Sequence, residues 1–413
     1  MSRMLHTSDW HVGHTLHGYP RTDDFEAVFA EIVDIARESQ PDLIVHTGDL
    51  FHTSSPTGSS LLSAITVLWQ LADIAPTVVV AGNHDSPTYF RILDMVSGPS
   101  VGRGLHFVDR FRTAEEGGVL TFDACGGEQR IRLAAMPFVH PNRFWQRPAL
   151  STSNADYADG MRGLQQQLVD AMREGYDPER DVLFFAAHVY VTGAKRSDSE
   201  RQVDESFEIS PEGLPQVSYT ALGHIHRPQI VRGPAFPAQY AGSPLAMDFG
   251  EVGHSKSVVI VDADPGRPGR PLPRPLVSAR RLDIFEGTLD KLRADAARYD
   301  GTFLKAKISG EEPDVRLAEK IAEIVPTAIV VKLDLDLEPA ADVLVDVDPD
   351  GELELPDAFR AYLGQEGVTG AAADDTVAAF IRLLNEVDDE TPSPVPAEQL
   401  LDAALKDVWT EEQ

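Results

Sequence analysis

The sequence predicts a layered α/β protein. Short apolar segments alternate with amphipathic ones from residue 4 to about residue 90, each of the first three short segments ends in a polar cluster, and 413 residues suffice for two or three separate cores. The first strand is "MLHTSD", followed by a helix with Phe25, Val28, Phe29, Ile32, Val33 and Ala36 on one face, then by "DLIVHTGD". A second helix carries Leu61, Leu62, Ile65, Leu68 and Trp69 and leads into "TVVVAGNHD". Buried strands alternating with helices stack as layers, and sites in such sheets lie at the carboxyl ends of the strands. The clusters "SDWH", "GDLFH" and "GNHD" are therefore expected on one edge.

Further strands are expected at "LHFV", "IRLAAMPF", "DVLFFAAHV", "SYTALGHIH", "FPAQYAGSP" and "SKSVVIVD", with a helix near 161–174. A first domain then spans 1–264 and ends at a basic, proline-rich linker, 265–281, "PGRPGRPLPRPLVSARR". A small α+β unit is expected over 282–340, and an acidic tail over 341–413. In that tail, Val377, Phe380, Ile381, Leu384 and Val387 line one face of a helix at 374–387, and Leu400, Leu401, Ala404, Leu405 and Val408 line another at 397–409. No internal repeat, Gly-rich phosphate loop or zinc-type cysteine pattern occurs.

The formal charge is −30, and the tail alone holds 3 basic against 19 acidic residues. Affinity for nucleic acid comes from Lys and Arg neutralising phosphates, so any grip on DNA must come from local patches, bound metal or a partner. Cys125 is the single cysteine, which excludes an internal disulfide and fits a reducing cytoplasm. The start "MSRMLHTSDWH" has no signal-peptide apolar region, and no apolar run approaches the ~18 residues of a membrane span.

The chemistry-bearing residues fall in five clusters: Asp9 and His11; Asp49; Asn83, His84 and Asp85; His188; and His224 with His226 in "LGHIHRPQ". Any one of them could be a cap or a turn. Together they supply what two divalent cations ~4 Å apart require, a carboxylate able to bridge and several neutral or anionic ligands on each side. Mixed nitrogen and oxygen ligation argues against magnesium and calcium and suits manganese, iron or zinc.

This ordered set, D-x-H, G-D, G-N-H-D, H, G-H-x-H, resembles the calcineurin-like metallophosphoesterase superfamily, and "LHTSDWHVGHTLHG", "GDLFHTSSP", "AGNHDSP" and "YAGSPLAMDFGE…KSVVIVD" resemble its SbcD-type nuclease branch. The resemblance implies a four-layer β-sandwich flanked by helices, followed by a small cap and a helical tail. It implies one cation held by Asp9, His11, Asp49 and His226, and a second by Asp49, Asn83, His188 and His224, with Asp49 bridging and manganese favoured. His84 resembles the histidine that protonates the leaving oxygen or steadies the phosphate, a task suited to imidazole at neutral pH. His52 stands where nuclease relatives can carry a second active-site histidine. Asp85 is expected to orient His84 or a ligating histidine, and Ser243 to touch a DNA phosphate. His6, His14, His17, His46, His106, His140 and His254 lack ligand-type context and are read as structural or surface groups.

The implied activity is a two-metal DNA exonuclease, with structure-specific endonuclease action, working in repair. The implied partner is an SbcC-like ATPase of the SMC type, bound through the tail helices, with a homodimer inside a heterotetramer. The alternatives are a phosphoesterase for small molecules, cyclic nucleotides or phosphoproteins, and a non-catalytic scaffold. The cap, basic linker and amphipathic tail argue against the first, and the complete ligand set against the second.

Overall fold

A computed structural model describes residues 1–97, 104–140, 154–200, 208–309 and 316–336, with Arg360 and Val377. Two six-stranded sheets form its centre. The first runs in the order Arg270–Pro275, Ser257–Ala263, Ser2–Thr7, Leu43–His46, Thr77–Val80, Leu105–Val108. In the second the order is Gln229–Ile230, Ala238–Tyr240, Tyr219–Gly223, Asp181–His188, Gln129–Met136, Val119–Ala124. The strands that lead into the five clusters are parallel neighbours: Ser2–Thr7 with Leu43–His46 and Thr77–Val80 in one sheet, Asp181–His188 with Tyr219–Gly223 in the other.

Side chains alternate across a strand, and that period assigns the layers. Met4, Leu43, Val45, Val78 and Val80 share one core with Ile131, Leu133, Val182 and Phe184 of the opposite sheet. The residues between them, Leu5, Ile44 and Val79, pack instead with Phe25, Val28, Phe29, Ala64 and Leu68 of the helices Thr22–Ser39 and Gly58–Ala72. On the far side Ala134, Met136, Leu183 and Phe185 meet Met161, Leu168 and Met172 of the helix Asn154–Arg173. The result is the expected four-layer sandwich, helices outside two facing sheets. Phe184 and Phe185 are both fully buried, on opposite faces of one strand, and each is worth roughly 2–3 kcal/mol of transfer free energy.

Part of the stretch expected as a linker is a strand. Arg270–Pro275 pairs antiparallel with Ser257–Ala263 at the margin of the first sheet. Leu276 donates its amide to Lys256 O at 2.9 Å, so by the two-residue period the inward amides belong to even-numbered residues. Pro271, Pro273 and Pro275, at odd positions, point their missing donors away from the sheet, which is why a proline-rich run can be an edge strand.

Beyond it, Leu282–Gly287, Phe303–Ser309 and Ile329–Asp336 form a parallel three-stranded sheet. The helices Leu289–Ala294 and Leu317–Ile324 lie between them in sequence, and Phe285, Leu304, Ile308, Leu317 and Ile321 make their common core. Leu282 and Phe303 cluster with Leu16 and Phe249 of the main body, and the Phe303 ring lies 5.1 Å from the Arg21 guanidinium and 5.0 Å from that of Arg280. The tail helices expected at 374–387 and 397–409 fall outside the described residues apart from Val377, which is helical and buried. No helix among the described residues is long and apolar enough to cross a membrane.

Two histidines read as structural are core groups. His6 is fully buried between Tyr219 Oη at 3.1 Å and Thr47 Oγ1 at 3.0 Å, and His46 lies edge-on to Trp10. Burial pushes both pKa values from 6.5 down to about 3. In the folded state they stay neutral where the unfolded chain takes up protons, so stability is lost as pH falls below 6.5. The expected loss is up to about 1.4 kcal/mol per pH unit for each histidine. Urea unfolding at pH 7 and pH 5 reads this, and His6→Gln is expected to shrink the difference.

Candidate metal centre

The five clusters meet at the carboxyl ends of both sheets. Loop 9–12 zips onto loop 48–52, with Asp9 N donating to Gly48 O at 2.9 Å, His11 N to Asp49 O at 3.0 Å and Val12 N to Leu50 O at 2.9 Å. Asp9 in turn accepts the His224 amide at 3.0 Å, and Asp49 Oδ1 accepts the His84 amide at 2.8 Å, so each cluster fixes the next. The glycines ahead of the clusters permit this closeness. A Cβ on Gly82 would stand 2.1 Å from Asp49 Oδ1, and one on Gly223 would stand 2.0 Å from Thr47 O. Asp9, His11, Asp49 and His224 all take positive φ, at 51°, 48°, 54° and 105°, a conformation that non-glycine residues adopt mainly where the surroundings force it.

Besides His11, His52 and His84, two groups of ligand atoms result, Asp9, His11 and His226, and Asp49, His188 and His224, with the atoms in each of the three within 4.8 Å of one another. Asp49 Oδ2 touches both, 3.6 Å from His11 Nε2 and 3.5 Å from His188 Nε2. Asn83 Oδ1 joins the second group, 2.9 Å from His188 Nε2 and 2.9 Å from His224 Nδ1. His188 Nδ1 lies 2.8 Å from the Thr47 carbonyl and must donate to it, which leaves a lone pair on Nε2. Nε2 of His188, Asn83 Oδ1 and Asp49 Oδ2 are then three acceptors aimed at one space. Acceptors converge in this way around a cation, and the mixed imidazole, carboxylate and amide set suits a divalent transition metal.

The electrostatics agree in part. Burial pushes the Asp9 carboxyl up to about 6 and His224 down to about 3, and drives His11 well below its ordinary value with help from the His226 and His84 rings. Burial opposes ionisation of Asp49 too, but His188 and His84 hold its carboxyl below the usual range. A metal needs neutral imidazoles and ionised carboxylates; the shifts of His11, His224 and Asp49 run that way, whereas the raised Asp9 carboxyl and the raised His226 run against it.

His84 and His52 flank this centre, both partly exposed. The His84 ring lies 4.8 Å from that of His11, and its Nδ1 faces the His52 carbonyl at 2.8 Å, which leaves Nε2 as the free atom. His52 stacks on His84 at 5.9 Å between centroids, and burial with the nearby His84 lowers its pKa. His14, read as structural, stands edge-on to His52 at 4.8 Å and so borders the same cluster.

Two expectations need correction. Ser243 is fully buried, its hydroxyl accepting from Lys256 Nζ at 2.7 Å, so it has no face to offer a phosphate. Asp85 orients no imidazole: its oxygens accept the amides of Leu50 and Phe51 at 3.1 Å and of Gly82 at 2.9 Å, and it ties the Asp49 loop to the Asn83 loop. Burial and the Asp49 charge push its pKa up to about 7.

A network behind His226 escaped sequence reasoning. Nδ1 of His226 meets Ser199 Oγ at 2.8 Å and lies 3.5 Å from Glu251 Oε1, and Glu200 accepts the His226 amide. Glu251 in turn holds the buried Lys256 ammonium at 2.5 Å, and Lys256 donates to His226 O at 3.0 Å. Burial opposes ionisation of Glu251, but Lys256 and His226 hold its carboxyl well below the ordinary range, while Glu251, Asp9 and Glu200 raise His226 against its burial. The only sequence trace was Glu251 in "DFGE" and Lys256 in "KSVVIVD", charges flanking apolar strings. Lys256→Met is expected to cost about 3–5 kcal/mol in urea unfolding, because it removes the ammonium that pairs with the buried Glu251 carboxylate. A loss below ~1 kcal/mol would mean the pair is not buried as described.

Residues 2–228 match the calcineurin-like phosphoesterase family. The sequence is 33% identical over 269 residues to the SbcD component of the SbcCD nuclease of Bacillus subtilis, covering 64% of this chain and 67% of that protein. It is also 27% identical to the SbcD component from Rhodobacter capsulatus, over 75% of this chain and 81% of the relative. For that of Escherichia coli K12 the identity is 29%, over 76% of each.

Proposed function

The chain belongs to the calcineurin-like phosphoesterase family, and from that premise we propose that it is a metal-dependent DNA nuclease, the counterpart of the SbcD proteins it is similar to. The observation that carries the reading is Asp49 Oδ2, 3.6 Å from an imidazole of one ligand group and 3.5 Å from an imidazole of the other. That position supports Asp49 as the bridge between two cations. Asp9, His11 and His226 complete one set, Asn83, His188 and His224 the other. Mixed nitrogen and oxygen donors suit manganese, iron or zinc, and the resemblance to the family favours manganese.

Divalent cations in these sites supply an electrostatic clamp on the phosphoryl oxygens and activation of water. The rest falls to the chain. The loops carrying Asp9, Asp49, Asn83 and His224 hold their donor atoms in fixed places, so little ordering remains when a cation or a phosphate arrives. His84, with Nδ1 committed to His52 O, keeps Nε2 for the departing sugar oxygen or the phosphate beside it. His52, stacked on His84, supplies the carbonyl that fixes this tautomer.

The acidic balance of −30 supports a partner that brings positive surface to DNA, an SbcC-like ATPase engaged through the amphipathic stretches of 374–387 and 397–409. Ile92, Met95 and Val96, 49%, 69% and 61% exposed, form one stripe on the helix Pro87–Ser97, which supports self-association of two chains within the larger complex. The lone cysteine supports a cytoplasmic location, on the nucleoid when DNA is engaged.

The test combines metal analysis with cleavage. The purified chain is expected to take up two manganese ions and, alone or with the ATPase and ATP, to degrade end-labelled duplex or hairpin DNA. Absence of cleavage under every combination would end the nuclease reading.

A further inference from the structure

Beside the metal centre lies a second concavity of about 620 Å³, lined by residues 192–195 and 227–232. Its walls are the direct continuations of two ligand-bearing segments: residues 192–195 follow His188 by a short strand, and Arg227 is the residue after His226. Three lining residues carry positive charge, Lys195, Arg227 and Arg232, and no lining residue is acidic. Among the described residues none of the three forms an ion pair. In a chain of net charge −30, where most described arginines are paired, three such cations around one hollow make a site suited to anions.

The walls are held at fixed spacing. Gln229 Oε1 accepts the Lys195 amide at 2.8 Å, and Gln229 Nε2 donates to Lys195 O at 2.8 Å, so one side-chain amide pairs with both backbone groups of the opposite wall. A link runs to the metal centre as well: the Arg196 guanidinium lies 4.1 Å over the Tyr190 ring, and Tyr190 stands 6.3 Å from His224. A strand leaving the centre on this side would meet three cationic side chains and no lining carboxylate.

We propose that this hollow binds the phosphodiester backbone of the nucleic-acid strand on one side of the scissile bond, with Lys195, Arg227 and Arg232 each facing a phosphate. The inference rests on the nuclease reading and adds a substrate track to it. The three cations position the strand without reading its bases, so contacts here are sequence-independent and sensitive to salt.

The experiment is fluorescence anisotropy of a labelled single-stranded oligonucleotide on the full chain in EDTA, titrated across a salt series. The triple variant Lys195→Gln, Arg227→Gln, Arg232→Gln is expected to flatten the plot of log affinity against log salt by about 2, or ~0.7 for each lost phosphate contact. Arg293→Gln, which removes one charge from the helix Leu289–Ala294, outside the lining of the hollow, is the control for net charge and is expected to leave the slope unchanged. An unchanged slope in the triple variant, or an equal flattening in the control, overturns the assignment. Manganese uptake and circular dichroism report whether the triple variant folds; if it does not, Arg232→Gln alone, at an exposed position, is expected to flatten the slope by ~0.7 and decides the matter. Wild-type cleavage is scored separately: its absence sinks the nuclease reading, whereas the binding slope judges the hollow by itself.

Discussion

Asp49→Asn is expected to lower DNA cleavage by roughly three orders of magnitude or more while the fold survives. The Asp49 side chain is within reach of both ligand groups, and Asn matches its shape. The amide keeps an oxygen for the His84 N–H, which Asp49 Oδ1 accepts at 2.8 Å. Its NH2 group, however, would sit where Oδ2 now faces His11 and His188, and would donate to the very lone pairs a cation needs. The variant should therefore be well folded and metal-poor. Plasma mass spectrometry should find clearly less manganese than in the parent, and the melting temperature should lose its response to added manganese. Full activity in this variant would remove the bridging role and the two-cation reading with it.

His84→Gln is expected to reduce kcat by about 10²–10⁴ with manganese uptake intact. The two substitutions therefore separate by metal content, not by activity alone. His84 contributes its backbone amide to Asp49 and its Nδ1 to the His52 carbonyl, and only Nε2 is left for substrate. Gln preserves the backbone bond and can still donate to His52 O, yet it cannot exchange a proton near neutral pH. If the role were only to hold the loop, kcat would stay near the parent value. Loss of metal in His84→Gln would instead make the residue part of the cation cradle.

Much of this was legible in the sequence because its signals are local. An apolar run followed by "GD" or "GNHD" states strand, turn and donor within a few residues, and the period-2 alternation of "IRLAAM" or "VLFFAAH" states which face meets which core. Local too was the pairing of His224 with His226, which the structure separates into two ligand groups. What stayed hidden depends on residues far apart. Lys256 reads as a strand-flanking surface charge until Glu251 and the His226 carbonyl are seen around it. Ser243 reads as a loop serine until Lys256 covers it. Asp85 sits next to His84 in the chain, and proximity in sequence suggested the wrong partner; its oxygens turn to amides 34 and 35 residues upstream. The edge strand at Arg270–Pro275 was masked by composition, since proline argues against a strand unless the side it faces is known.

That proline ladder has an outcome beyond its own sheet. A bare sheet margin offers a row of amide donors to any extended peptide, and proteins with such margins tend to recruit one another into fibrils. Here every outward position of Arg270–Pro275 from 271 to 275 is a proline with no N–H to give. A stray peptide drifting along this flank finds acceptors without donors and cannot zip on, so the sandwich ends where its own chain ends it. That leaves joining to other surfaces and closes off the indiscriminate route.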